Sequence, residues 1–457
     1  MKNRFTILTA IVGLAISGSA LAQDKAAPSV YTLQQCIDYA NEHNPNLKNA
    51  KASVEASEAR VGEIIATGLP QISGNADLGD NYLIPTTFLP AKFLDPNAPD
   101  GTYAPVKFGT QYTGRATLDV NQMIFNGSYF VGLKASRTYT ELSRADLVSS
   151  KIELVAAIKK AYYSVLVNKE RQALIEINAH RLDSLLNQTK AMYQNGFAEK
   201  IDVSRIQVLV NNINNTMRSS SIGLEVSYNL LKFQMGLPID AQLTLADSLS
   251  DIQLQVLDPD FKSGFNYNNR IEYQKLDLNH TLTQLDIKNT RSQYLPSLNF
   301  YGNYGASYGT SNFNNFVAFG DNWKNMGAFG LRLNVPIFDG FMKRKQVQQK
   351  QIKLDQIENM QVLTRSQIDM EQSQVGLSFL NTIETLKVQK ENMELAEEVY
   401  KVSVIKYQEG VGSNIEVLNA DASYKEAQTN YYAALFDALI TSVDLEKAYG
   451  KIEITEK

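Results

Sequence analysis

Two periodicities alternate along the chain and divide it into segments. Four segments repeat with a period of two. In 71–82, Ile72, Gly74, Ala76, Leu78 and Tyr82 alternate with Gln71, Ser73, Asn75, Asp77 and Asn81. In 112–121, Tyr112, Ala116, Leu118 and Val120 alternate with Thr113, Arg115, Thr117, Asp119 and Asn121. In 297–308, Leu298, Phe300, Tyr304, Ala306 and Tyr308 alternate with Ser297, Asn299, Asn303 and Ser307. In 329–337, Phe329, Leu331, Leu333, Val335 and Ile337 face away from Arg332 and Asn334. Strict alternation predicts strands with one apolar and one polar face. Each run is close to the roughly 9–11 residues of a tilted membrane strand, and apolar-out, polar-in is the membrane-barrel pattern. A soluble sheet with one wet face would show the same alternation.

Between these segments the spacing becomes helical. Phe379, Leu386, Met393, Tyr400 and Tyr407 lie seven apart, and Val148, Ile152, Val155, Tyr162, Leu166, Ala173 and Ile177 are spaced by 3, 4 or 7. Those are coiled-coil-like intervals. All 12 prolines avoid 106–237 and the chain after 336, so both stretches can hold uninterrupted helices. Gly196 and Gly410 stand where each long helix should stop. A helix over 128–193 would be about 100 Å long. The return helices, about 201–235 and 414–449, cover half of that. Segments 33–67 and 264–293 have the length to cover the rest, and Thr32 with Gln35 offers a capping box.

The chain also repeats itself. LDVNQMIFNG at 118–127 matches LRLNVPIFDG at 331–340, and YQNGFAEKIDV at 193–203 matches YQEGVGSNIEV at 407–417. Leu69-Pro70 and Leu295-Pro296 open the two copies. Collinear matches indicate an internal duplication. Repeat 1 spans 23–237, with a strand pair at about 70–126 and a helical hairpin at 127–235. A linker follows at 238–262. Repeat 2 spans 263–457, with a strand pair at about 296–338 and a hairpin at 340–449. Loops of about 83–110 and 309–327 join the paired strands. They gather Tyr82, Phe88, Phe93, Tyr103, Phe108, Phe313, Phe316, Phe319 and Trp323, readable as an interfacial girdle plus loop contacts.

Composition narrows the setting. Lys2 and Arg4, an apolar run from Phe5 to Ile16 and Ala20-Leu21-Ala22 form a cleavable secretory leader over 1–22. No later segment is long and apolar enough for a membrane helix. Cys36 is the one cysteine, so no intramolecular disulfide is possible. The net charge of −4 and the lack of a basic run give no sign of a nucleic-acid partner. His43, His180 and His280 have no ligand-like neighbour at i+3 or i+4, and no nucleophile or phosphate-loop motif occurs, so no metal, cofactor or enzyme activity is expected. Four strands cannot close a membrane barrel, and open edges in lipid are not tolerated, so the chain must oligomerise. Three copies would supply twelve strands.

This order resembles the TolC family of outer membrane factors over essentially the whole mature chain. The motifs behind the resemblance are TLQQCIDYANEHNPNL at 32–47, the LPSL-type strand entries, the IFDG-type exits into long helices and the two YQ-x-G tips. The resemblance implies a mixed α/β membrane protein: a homotrimer whose 12-stranded β-barrel, four strands per chain, sits in outer-membrane lipid and continues as a long periplasmic α-helical coiled-coil barrel. It implies a passive export conduit of a tripartite efflux pump or type I secretion system. A periplasmic adaptor (membrane fusion) protein and an inner-membrane pump or ABC transporter would open its tip.

Around the tips, Tyr193 and Gly196 mark the first, and Tyr407 and Gly410 match the family's last-turn tyrosine and glycine. Asp202 and Glu416 match acidic positions after each glycine. Asn419 stands where the family pattern has a second acid, and Gly412 where it has a gate arginine, which puts the family's ion-pair network in doubt here. A stand-alone porin and a periplasmic coiled-coil scaffold are the competing readings. Short periplasmic turns would mark the first, and absent membrane strands the second.

Overall fold

The computed structural model describes residues 30–249, 265–317 and 323–454; the leader segment and Phe319 lie outside them. In chain order the elements begin with β1 (Val30–Tyr31), α1 (Leu33–His43), α2 (Pro45–Thr67) and β2 (Gln71–Asp80). They continue with β3 (Thr86–Pro90), β4 (Tyr103–Lys107), β5 (Tyr112–Phe125), α3 (Gly127–Gln194), α4 (Lys200–Met235) and β6 (Thr244–Leu245). The second half holds α5 (Ile271–Ser292), β7 (Ser297–Thr310), α6 (Phe313–Val317), β8 (Lys324–Asn334), α7 (Met342–Gln408) and α8 (Asn414–Ala448).

Alternation does form one sheet. β2, β5, β7 and β8 are antiparallel neighbours in that order, so each repeat gives one hairpin and β5 joins β7 across the repeats. The register aligns Ile72, Val120 and Gly302, then Leu78, Gly114 and Tyr308, on one face. Residues directly opposite share a face. Leu78, Leu118, Tyr304, Phe329, Leu331 and Leu333 are all exposed there. At its loop end the Trp323 ring stacks on Tyr308, and Phe313 packs edge-on against Tyr112. The opposite face carries Gln71, Ser73, Asn75 and Asp77 with their cross-strand partners. β2 and β8 are the outer strands, and no further strand flanks them among the described residues.

The strand boundaries move: the first strand ends at Asp80, the second reaches Phe125 and the third Thr310. The fourth strand runs 324–334 rather than 329–337. Pro336 cannot donate a ladder hydrogen bond, while Lys324–Met326 lie opposite Ser307–Gly305 and extend the pairing upward. The loop at 83–110 contains the β3–β4 hairpin, which pairs Thr86 with Lys107 through Pro90 with Tyr103.

α3 has 68 residues and α7 has 67, each about 100 Å long. The first half of α3 meets α2 and α5: Thr140 donates to the Ser57 carbonyl, and Lys275 pairs with Asp146 at 2.7 Å. Its second half meets α4 and α8. α5 lies between α3 and α7 and ties the repeats together. This change of partners explains one missed stripe. Val155, Tyr162 and Leu166 are buried as spaced, but Ala173 and Ile177 are exposed, and Ile175, Ala179, Leu182 and Leu186 are buried instead. A helix facing new neighbours halfway along turns a different stripe inward. On α7, Phe379, Tyr400 and Tyr407 are buried as the seven-residue spacing predicts.

The helix expected over 33–67 breaks at Asn44. The Asn44 side chain accepts from the Asn46 and Leu47 amides and donates to the Gln234 carbonyl, and Pro45 takes the first turn of α2, where no N–H is needed. Thr32 and Gln35 form the predicted capping box. The helix expected from 264 begins at Ile271; residue 264 itself lies outside the described residues. Midway along the helices, β1 pairs in parallel with β6, and the Tyr162 hydroxyl donates to Asp247 at 2.6 Å. Cys36 is buried in this layer, and burial pushes its thiol up to about 12, so it packs as a small apolar side chain. No described helix is long and apolar enough to cross a membrane.

Candidate functional site: the helical tips

Both long helices stop in the same way. Gly196 and Gly410 adopt φ of 79° and 72°, the left-handed region where a Cβ is penalised. Phe197 donates its amide to the Met192 carbonyl at 2.8 Å, and Gly196 to Tyr193 at 3.1 Å. In the second tip Val411 donates to Lys406 at 3.0 Å and Gly410 to Tyr407 at 3.1 Å. These paired bonds are the Schellman stop. The duplicated YQ-x-G strings therefore encode duplicated reversals. Phe197 and Val411, next in line, are 80% and 79% exposed, so each turn presents an apolar side chain at its apex.

Past the turns the tips differ. Asp202 sits in the first turn of α4, where its carboxylate accepts from the Glu199 amide at 3.2 Å and Glu199 caps in return. Asp202 also lies 3.7 Å from Arg205 and accepts at 3.0 Å from Asn414 of the other tip. Its charge is thus engaged within the structure. In the second tip Ser413 caps α8 through the Glu416 amide at 3.3 Å. The Glu416 carboxylate is exposed and forms no ion pair among the described residues, and Asn419 is exposed one turn on. Gly412 is pressed against the end of α7: a Cβ there would stand 2.8 Å from the Lys406 Cβ. This backbone path leaves no room for a side chain at position 412.

The two tips share one core. Tyr407 is buried, and burial raises its phenol above the ordinary value, whereas Tyr193 is half exposed. Tyr400 stacks on Tyr424 with ring centroids 5.9 Å apart, and burial pushes the Tyr400 phenol up to about 12. Ile206, Leu182 and Val417 complete this layer. Asp421, also buried, pairs with Lys425 at 2.7 Å. Of the residues singled out from sequence, Asp202 and Tyr407 lie in this shared layer; Glu416, Asn419 and Tyr193 face outward. Sequence reasoning missed Asn414, a side chain that joins the tips alongside Gln408, which donates to Gln188 at 2.6 Å. The signal for Asn414 was the mismatch with Lys200 at the equivalent position of the first repeat. No group of three or more His, Cys, Asp or Glu able to hold a metal occurs among the described residues.

Comparison with known proteins agrees with this architecture. The outer membrane efflux protein family model matches residues 36–218 and 268–451, one segment in each repeat. The chain is 22% identical to the outer membrane protein TolC of Salmonella enteritidis over 98% of this chain and 86% of that one. Among solved structures, the CmeC outer membrane channel of Campylobacter jejuni superposes with a TM-score of 0.70 at 16% identity, covering 96% of this chain and 92% of that one. The outer membrane protein VceC of Vibrio cholerae gives 0.66 at 16% identity, covering 92% and 96%. The duplicated match, the sheet with its exposed apolar face and the helices of about 100 Å agree, and the chain belongs to the outer membrane efflux protein family, as an outer-membrane export channel whose helices extend into the periplasm.

Proposed function

We propose that three copies of this chain close into one tube that carries solutes out of the cell as a passive conduit, with its tips as the gate. The observation behind this reading is the four-stranded sheet. It exposes Leu118, Tyr304, Phe329, Leu331 and Leu333 on one face and leaves β2 and β8 as outer strands. In hydrocarbon every backbone N–H and C=O needs a partner, so β8 of one copy pairs with β2 of the next until the ring closes. Three copies give a twelve-stranded barrel continued by the helices. The tube performs no chemistry; energy comes from an inner-membrane pump joined through a periplasmic adaptor. The exposed Phe197 and Val411 at the reversals suit apolar docking by that adaptor.

Three Glu416 carboxylates around the mouth form an acid ring favouring cations. Asp202, held by its own helix start and by Asn414, braces the tips rather than lining the pore. Electron microscopy of the detergent-extracted mature protein tests the assembly. A three-fold tube with a helical barrel of about 100 Å is expected. A short barrel without the helical extension, or a soluble rod, would overturn the reading.

A further inference from the structure

The polar face of the sheet carries a second charged feature, far from the tips and opposite in sign. The register places Asp77, Arg115, Ser307 and Lys324 in one row across all four strands. Neighbouring strands lie about 4.8 Å apart, so Arg115 and Lys324, two strands apart, flank Ser307 across about 10 Å. The next row toward the loops is small: Gly79, Thr113 and Gly309. With bulk missing above and a short side chain between the two cations, the row opens into a slot of about 890 Å³ lined by Asp77, Arg115, Ser307, Gly309 and Lys324.

The other charges on this face have partners. Asp119 accepts from Asn75 at 2.6 Å and from Thr117 at 3.1 Å. Arg332 lies over the Tyr301 ring, 5.2 Å from its centroid. Asp77, directly opposite Arg115, forms no ion pair with it, and neither Arg115 nor Lys324 pairs with any carboxylate among the described residues. Two exposed cations and one carboxylate per chain thus line the wall at its loop end.

We propose that this row is a binding girdle for multivalent oxyanions, the phosphate or polycarboxylate groups of a solute leaving the tube. The inference rests on the export-channel reading, which turns the polar face toward the lumen. Three copies then present six cations and three carboxylates around one ring. With lipid as a low-dielectric backing to the wall, their field is focused rather than dissipated, and rings of Arg and Lys are a known way to favour anions and phosphate. The Arg115 guanidinium can take two oxyanion oxygens at once, while Lys324 acts as a compact charge across Ser307. The tube would then be asymmetric, acidic at its periplasmic mouth and basic at its outer one.

Isothermal titration of the full-length mature channel, in non-ionic sugar-headgroup detergent with inorganic triphosphate as probe, tests this. Such a detergent supplies no anionic group to compete for the girdle. Saturable binding is expected, weakened tenfold or more in Arg115→Ser/Lys324→Ser and retained in the conservative pair Arg115→Lys/Lys324→Arg. Asp77→Asn should tighten it. No binding, or equal binding by the wild type and the serine double variant, overturns the girdle. Electron microscopy of the same preparations separates the two readings. A three-fold barrel with its helical extension that binds no triphosphate fails the girdle alone, whereas a preparation that shows no such barrel overturns the channel reading and the girdle with it.

Discussion

The two helical tips are built from one duplicated string, and they show how far a duplication preserves physics. The backbone stop is the same in both: a left-handed glycine, two crossed amide bonds and an exposed apolar residue at the apex. The charges after the stop are placed differently. In the first tip Asp202 is held by Glu199, Arg205 and Asn414. In the second, Ser413 does the capping, and Glu416 is left facing solvent. Helix reversal restricts few positions tightly, so those persist. Side chains beyond it are free to diverge, here into an acid held within the tips and an acid left facing solvent.

The comparison can be broken most severely through the shared core. Tyr400→Ala removes the ring stacked on Tyr424 and should cost about 3–5 kcal/mol. Amide hydrogen exchange should quicken in both tips together. Quickening confined to the second tip would show that the two fold separately.

A smaller effect tests the sameness of the stops. Gly196→Ala and Gly410→Ala each force a Cβ into the left-handed region, at about 1–2 kcal/mol apiece, with open space around both. Equal shifts in thermal midpoint are expected; clearly unequal shifts would deny the equivalence. Asn414→Ala should cost about 1–2 kcal/mol and loosen the start of α4, although the substitution lies in the other repeat. Protection of the 199–203 amides reads this directly. The smallest stability effect belongs to Glu416→Gln, within about 0.5 kcal/mol because the carboxylate is exposed. Its readout is single-channel ion preference, where a loss of cation selectivity is expected. An unchanged preference would remove Glu416 from the pore.

Much of the architecture was legible because it rests on strong periodic signals. Alternation located all four strands of the main sheet, the absence of proline marked both long helices, and Gly196 and Gly410 marked their ends. What escaped depended on partners distant in sequence. The α3 stripe shifts at Ala173 and Ile177 because α4 and α8 replace α2 and α5. The β3–β4 hairpin escaped because Pro90 and Pro105 argue against strands, and a two-stranded ribbon tolerates proline where one edge needs no donor. The break at Asn44 escaped for another reason: its signal is the local Asn-Pro pair, a helix start masked by the longer helical pattern around it. Within the site, the glycines and tyrosines were visible from the repeat. Asn414 was not, because a bridging amide leaves no period.

The duplication also sets a count. A ring of three chains carries six reversals, all with the same backbone stop and an exposed apolar apex, Phe197 or Val411. A docking protein that reads only this shared apex finds six nearly equivalent seats on a three-chain ring. One that distinguishes Phe197 from Val411, or senses the unpaired Glu416, finds two interleaved sets of three. For any protein that docks on these turns, the stoichiometry would follow from how finely it discriminates between two copies of one ancestral turn.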